Sequence, residues 1–220
     1  MLQKNIKNII FDYGNMIINL SIDATYQAFK KLGTDDFANE WEAINNSNLF
    51  QKYERGDIST IEFREILKTA LPKTVKNEEI DWAWNQILKD MPYRRIELLK
   101  NIRTNYKTFL LSNSNEIHFL QYSKSLLKEF GIDNFNHLFD KAYFSFKENL
   151  LKPEAEFYKK TLKDNNLKPE ETLFIDDMEQ NTIAASNQQI KTIWLKKGID
   201  ICDLFNEDYQ LNKFAYELII

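Results

Sequence analysis

The sequence predicts an α/β protein, a doubly wound parallel sheet with an inserted α-helical cap. Three observations predict it. Short apolar runs alternate with helix-period segments over most of the chain, the pattern of βαβ units. From about residue 20 to 92 that alternation gives way to helical signals alone. Several apolar runs end on polar residues, among them Asp12, Ser112 and Asp176, where an open parallel sheet opens its ligand crevice. The 220 residues, 43% hydrophobic and 14% aromatic, suffice for a sizeable core in one domain with an insertion.

The first strand is read over residues 6–12, where Ile9-Ile10-Phe11 ends on Asp12 and Gly14 follows. In the helical stretch, Phe37, Trp41 and Ile44 recur at i, i+4, i+7. Ser59 and Glu62 fit a capping box, and Phe63, Ile66, Leu67 and Ala70 follow at helical spacing until Pro72 stops the run. Ile80, Ala83, Trp84, Ile87 and Leu88 share the face of a further helix. The alternation then resumes with a helix near 93–103, a strand at 107–111 and a helix over 116–129 closed by Gly131. A third strand covers 142–144, and a helix runs from Pro153 to Asn165. A fourth strand covers 172–175, a helix 179–188, and a fifth strand 192–195. The tail after 196 mixes apolar and acidic residues and is not assigned. This order implies a Rossmann-like core of residues 1–19 and 93–220, with residues 20–92 as a helical cap.

Composition narrows the function. A net charge of -4 leaves no basic footprint, so nucleic acid is not expected as a partner. The one cysteine, Cys202, excludes an internal disulfide and fits a reducing cytoplasm. The first residues, Met1 to Asn5, run straight into the first strand without an apolar stretch suited to a signal peptide or membrane span. Monomer and homodimer are both compatible with the sequence.

The strand-end residues suggest chemistry. An aspartate at the end of a buried strand is not core filling, and Gly14 lets another group come close to the backbone. Ser112 and Asn113 precede a helix, so their side chains and the neighbouring N–H groups would face an anion, although Ser112 alone also reads as a plain helix cap. Lys152 precedes Pro153, which biases it to an extended conformation and holds it at a fixed point. Pro153 is expected to open the following helix, where its missing N–H costs nothing. Asp176 and Asp177 repel each other, and a divalent cation such as Mg²⁺, which takes hard oxygen ligands, would relieve that.

The order Asp, Ser, Lys, Asp-Asp resembles the haloacid dehalogenase-like (HAD) hydrolase superfamily over nearly the whole chain. The matching motifs are Phe11-Asp12-Tyr13-Gly14-Asn15-Met16, Leu111-Ser112-Asn113-Ser114-Asn115, Lys152-Pro153-Glu154 and Phe174-Ile175-Asp176-Asp177 with Asn181 following. Within the superfamily the chain is similar to bacterial sugar-phosphate phosphatases of the α-D-glucose-1-phosphatase type, also in Tyr53-Glu54-Arg55-Gly56-Asp57-Ile58-Ser59. The resemblance implies a Mg²⁺-dependent phosphatase for a small phosphorylated metabolite, with Asp12 as nucleophile and metal ligand. It implies the Gly14 carbonyl and Asp177 as further ligands, and Asp176 as a second ligand or outer-shell group. Ser112, Asn113 and Lys152 would hold the phosphoryl oxygens.

The sequence departs from most phosphatases of the superfamily at Gly14, where a second aspartate usually protonates the leaving group. Good leaving groups, such as an anomeric phosphate, or a proton from substrate, water or cap are therefore expected. Asn15 cannot serve, because an amide does not titrate usefully. Two other readings stand: a dehalogenase on the same fold, which has no need of Asp176-Asp177, and a non-catalytic or weakly active binding protein, suggested by Gly14. Glu54 and Arg55 read either as substrate contacts from the cap or as a salt bridge within it. Trp41 and Trp84 read as cap core, and Trp82 as a rim or contact residue. His118 and His137 read as surface or helix-end residues, and Cys202 as inert.

Overall fold

The computed structural model of the chain describes residues 5–33 and 37–220. Residues 1–4, on which part of the N-terminal reading rests, lie outside it, as does the Phe37 side chain. Five strands form one sheet: β1 (Asn8–Phe11), β2 (Lys107–Ser112), β3 (Lys141–Phe144), β4 (Thr172–Asp176) and β5 (Lys191–Trp194). Their order is β3-β2-β1-β4-β5, and every pairing is parallel. All strands run the same way because helical segments return the chain between successive strands.

Alternate strand residues serve opposite faces. Ile9, Phe11, Leu110, Leu173 and Ile175 pack with α6 (Tyr93–Ile102), α7 (Glu116–Phe130) and α11 (Lys213–Leu218). Ile10, Phe109, Leu111 and Phe174 pack with α9 (Ala155–Asp164) and α10 (Glu179–Ser186) on the other face. Buried on both sides, β1 and β4 are continuous apolar runs rather than alternating ones. Between β1 and β4 the chain changes winding direction, and the carboxyl ends of these two strands open a crevice there.

The helical insert contains α1 (Ile22–Lys31), α2 (Phe37–Asn46), α3 (Leu49–Arg55), α4 (Thr60–Lys68) and α5 (Asn77–Asn85). It has its own apolar cluster, with Phe29, Tyr53, Phe63, Ile80 and Trp84 buried together, joined by Ile117 from α7. Half-buried Trp41 packs against it. The Ser59–Glu62 capping box starts α4. The two chain segments crossing between insert and sheet lie side by side: Asn19 donates to the Asp90 carbonyl at 2.9 Å and Ser21 to the Ile87 carbonyl at 2.8 Å.

Two sequence expectations are corrected, and the unassigned tail finds its place. Ile87 and Leu88 lie beyond α5, in the return segment, because backbone pairing with residues 19–21 takes over there. Pro153 does not open a helix. It follows Lys152 through a cis peptide bond in a turn, and α9 starts at Ala155. The tail forms a 3-10 turn at Ile201–Leu204 and then α11, and Ile220 pairs with the Thr192 backbone.

The insert is seated on the sheet unit at two places. At α8 (Ser145–Glu148), the Ser145 hydroxyl donates to the Glu54 carbonyl at 2.5 Å, and the Asn149 amide donates to the Arg55 and Gly56 carbonyls. Gly56 has φ 81°, and a Cβ there would stand 2.5 Å from the Phe146 carbonyl oxygen, so only glycine allows this approach. At α7, His118 is buried rather than exposed, although it does sit in the first turn of its helix. Its ring stacks on Trp84 at 5.1 Å, Nδ1 meets the Asn115 amide at 2.9 Å, and Nε2 meets the Trp84 carbonyl at 3.1 Å. The neutral Nε2–H tautomer satisfies both contacts. His137 is exposed beside Asp133, and Cys202 is half-buried.

Burial pushes the His118 imidazole down to about 4. Its stability contribution is whole above the unfolded value of 6.5 and is lost as pH falls toward 4, worth up to about 3 kcal/mol. His118→Gln should therefore be less stable than wild type at neutral pH, and the gap should close between pH 6.5 and 4 in urea titrations. A gap that stays constant with pH would show that His118 does not titrate in this way.

Candidate active site

β1 delivers Asp12 to the crevice and β4 delivers Asp176, one residue beyond neighbouring register partners Phe11 and Ile175. Between them stands Lys152. Its Nζ lies 2.6 Å from Asp12 Oδ1 and 2.7 Å from Asp176 Oδ2. All three residues are buried. A lysine taken from water survives only with such partners, and here the two carboxylates hold its charge in place. Burial alone would lower the Lys152 ammonium, but Asp12 and Asp176 outweigh it and raise the group.

The lysine is aimed by its own backbone. Asn113 accepts the Lys152 N–H on Oδ1 and donates Nδ2 to the Lys152 carbonyl, both at 2.9 Å. The Asn113 side chain is thus committed to holding the Lys152 loop at the end of β2. Ser112, the last residue of β2, is buried, and its hydroxyl donates to the Asn113 carbonyl at 3.4 Å.

Asp176 is more fully engaged than Asp177. Its oxygens take Lys152, the Met178 N–H at 2.8 Å and the Asn181 amide at 3.0 Å. Asp177 is half-buried, with Oδ2 accepting from the Asn15 amide at 2.8 Å and its carbonyl accepting from the Trp194 indole at 2.9 Å. Asn15 and Trp194 had no assigned part in the sequence reading. Asn15 carries a signal, since it adopts φ 54° immediately after Gly14, a conformation asparagine tolerates better than most residues. Trp194 carried none, because only the fold brings β5 beside Asp177.

One oxygen each from Asp12, Asp176 and Asp177 lie within 4.8 Å of one another. Three carboxylates face one lysine, so the cluster lacks positive charge. Burial pushes Asp12 up to about 7 against the pull of Lys152, with Asp176 and Asp177 adding to the rise. Burial also raises Asp177. The Asn181 Oδ1 is buried beside the cluster without a partner. Hard oxygen donors, surplus negative charge and an unsatisfied carbonyl together suit a small divalent cation. The Gly14 carbonyl accepts the Met16 N–H at 2.6 Å and keeps a second lone pair.

A cavity of about 750 Å³ opens over these groups. Asp12, Gly14, Lys152 and Asp177 line it from the sheet side, and Gln51 and Glu54 of α3 from the insert. Ser112 is not among its lining residues, and Trp82 faces a separate cleft formed with α7. Arg55 forms a two-point ion pair with Glu154, next to Pro153, and lies 3.5 Å from Asp57. It therefore bridges insert and sheet unit, rather than pairing only within the insert.

Residues 9–195 match the haloacid dehalogenase-like hydrolase family. The chain belongs to that family. It is 31% identical over 197 residues to D-ribitol-5-phosphate phosphatase of Bacteroides thetaiotaomicron, across 89% of this chain and 94% of that protein. Among solved structures, it is similar to a HAD family enzyme from Bacteroides thetaiotaomicron in complex with magnesium and inorganic phosphate. That match has 34% identity and a TM-score of 0.81, covering 91% of this chain and 100% of the other. A HAD-like family hydrolase from Porphyromonas gingivalis matches at 29% identity and a TM-score of 0.80, over 90% of this chain and 95% of that one. No helix among the described residues is long and apolar enough to cross a membrane.

Lys152→Met removes the cation that Asp12 and Asp176 share. In metal-free protein it should cost about 3–5 kcal/mol of unfolding free energy at pH 8, the price of stranding a buried charge. The loss should shrink at pH 5, where Asp12 is protonated. Denaturant titrations at both pH values check this, and an equal loss at both would contradict it.

Proposed function

We propose that the protein is a Mg²⁺-dependent phosphatase of small phosphorylated metabolites, sugar or polyol phosphates, acting through an aspartyl-phosphate on Asp12. The observation that carries this reading is the Asp12–Lys152–Asp176 cluster, with Asp177 beside it, at the floor of a cavity on the sheet's switch point. Asp12, as nucleophile, has one oxygen held by Lys152 and the other free to reach phosphorus. Asp12, Asp177 and the Gly14 carbonyl would hold the cation, with Asp176 completing the set or orienting Lys152 from behind. A bound Mg²⁺ would offset phosphoryl charge and favour the ionised form of Asp12. Lys152 would stabilise the phosphoryl oxygens, Asn113 would fix the lysine, and the buried Ser112 hydroxyl, bound to the Asn113 carbonyl and outside the cavity lining, would support that loop.

The relatives support this reading: a 31% identical protein is a D-ribitol-5-phosphate phosphatase, and a 34% identical structure holds magnesium and phosphate. Residues 20–92 would act as the cap and residues 1–19 with 93–220 as the core. A cap over the cavity favours a small substrate over a protein or nucleic acid. A reducing cytoplasm is the proposed location, supported by the single cysteine. The acidic cluster counts against a dehalogenase, and the intact Asp12, Lys152 and Asp177 count against a mere binding protein.

Phosphate release from p-nitrophenyl phosphate and a panel of sugar and polyol phosphates, with Mg²⁺ or EDTA, tests the reading. Release should require Mg²⁺ and fall by at least about 10³-fold in Asp12→Asn. A folded, Mg²⁺-binding wild type that releases nothing would overturn it.

A further inference from the structure

Gly14 leaves the reaction without its usual proton donor, and the cavity contains few candidates to replace it. Among the described residues lining it, Asp12, Lys152, Asp177, Arg55, Glu154 and Glu54 carry ionisable side chains. Lys152 is bound between Asp12 and Asp176, and Arg55 and Glu154 are bound to each other. Asp12 and Asp177 serve as nucleophile and metal ligand in the proposed reaction. Glu54 alone has no assigned task. Its carboxyl makes no hydrogen bond or ion pair with Asp12, Asp176, Asp177 or any other described residue.

Its backbone is nevertheless anchored. The Glu54 carbonyl accepts the Ser145 hydroxyl at 2.5 Å, the next two carbonyls accept the Asn149 amide, and Arg55 grips Glu154. Ser145 in turn accepts the Ser114 N–H at 2.9 Å, which ties this anchor to the loop after β2. The end of α3 is therefore built onto the sheet unit, and Glu54 reaches the cavity from a backbone held relative to Asp12. Such an unpaired carboxyl, carried on an anchored backbone and lining the same cavity as the nucleophile, is placed to meet the far side of a bound phosphate ester.

Resting on the phosphatase reading, we propose that Glu54 is the general acid that protonates the leaving group in place of a second aspartate at position 14. In the first step a bond forms between Asp12 Oδ and phosphorus while the ester P–O bond breaks. The bonding pair stays on the ester oxygen, which takes the Glu54 proton. In the second step water attacks phosphorus and gives a proton to the Glu54 carboxylate. The Asp12–phosphorus bond then breaks with its pair on the Asp12 oxygen, restoring the Asp12 carboxylate and the protonated Glu54 carboxyl. The charged groups acting on Glu54 are Lys152 and Asp12. Burial lifts its carboxyl to about 7, against the pull of Lys152 and helped by Asp12, so a large share of it keeps its proton near neutrality.

The test compares two leaving groups in wild type, Glu54→Gln and Glu54→Asp. One substrate is the sugar or polyol phosphate that wild type cleaves fastest, whose alkoxide leaves poorly without a proton. The other is p-nitrophenyl phosphate, whose phenolate leaves readily. Glu54→Gln should lose about 10²–10⁴-fold in kcat/KM on the first. Its loss on the second should be smaller by at least about ten-fold, which also shows the variant to be folded. The alkaline limb of the wild-type pH profile on the first substrate should vanish in Glu54→Gln and return in Glu54→Asp. Equal losses on both substrates, or an unchanged limb, would overturn the acid role while leaving the phosphatase reading intact. A wild type that cleaves neither substrate would overturn both.

Discussion

The pairing of Lys152 with Asp12 and Asp176 is the constraint on which the site depends. Two carboxylates from neighbouring parallel strands must end side by side, and their repulsion in a buried crevice is relieved by one lysine from a third segment. Much of the surrounding structure serves that arrangement. The Asn113 side chain is spent on the Lys152 backbone, Asn181 is spent on Asp176, and the turn at Pro153 brings the lysine under the strand ends. The remaining negative charge leaves the crevice suited to a further cation rather than to a settled ion pair.

The helical insert contributes as a wall of the same cavity. Its contacts with the sheet unit are concentrated at the end of α3, around Gly56, and at the His118–Trp84 stack on α7. Position 14 belongs to the same compromise. A Cβ there would stand 2.7 Å from Leu20 Cδ1, in the segment that leads into the insert, so Leu20 fills space a longer side chain would use. The chain places no carboxyl at position 14, but α3 brings one into the same cavity from the other side.

The sheet was legible because its inner strands β1, β2 and β4 are buried on both faces and run into polar residues, which gives short apolar runs with sharp edges. The capping box at Ser59 and the glycine closing α7 were legible for the same local reason. The end of α5 was not, since Ile87 and Leu88 keep a helical spacing while tertiary backbone pairing claims them. The turn at Lys152-Pro153 was missed because proline reads equally well as the first residue of a helix. In the site, Asp12, Lys152 and Asp176 announced themselves as strand-end or turn residues. The burial of His118, the bridge from Arg55 to Glu154 and the isolation of the Glu54 carboxyl all depend on how insert and sheet unit dock, which no local pattern encodes.

The most direct test of the account is to catch the intermediate. Wild-type protein mixed with Mg²⁺ and its fastest phosphate ester, quenched in acid during turnover and digested, should yield a phosphoryl adduct on the peptide carrying Asp12. The adduct should be absent in Asp12→Asn. Steady phosphate release without any adduct, together with an active Asp12→Asn, would contradict the central role given to Asp12 and to the lysine that holds it.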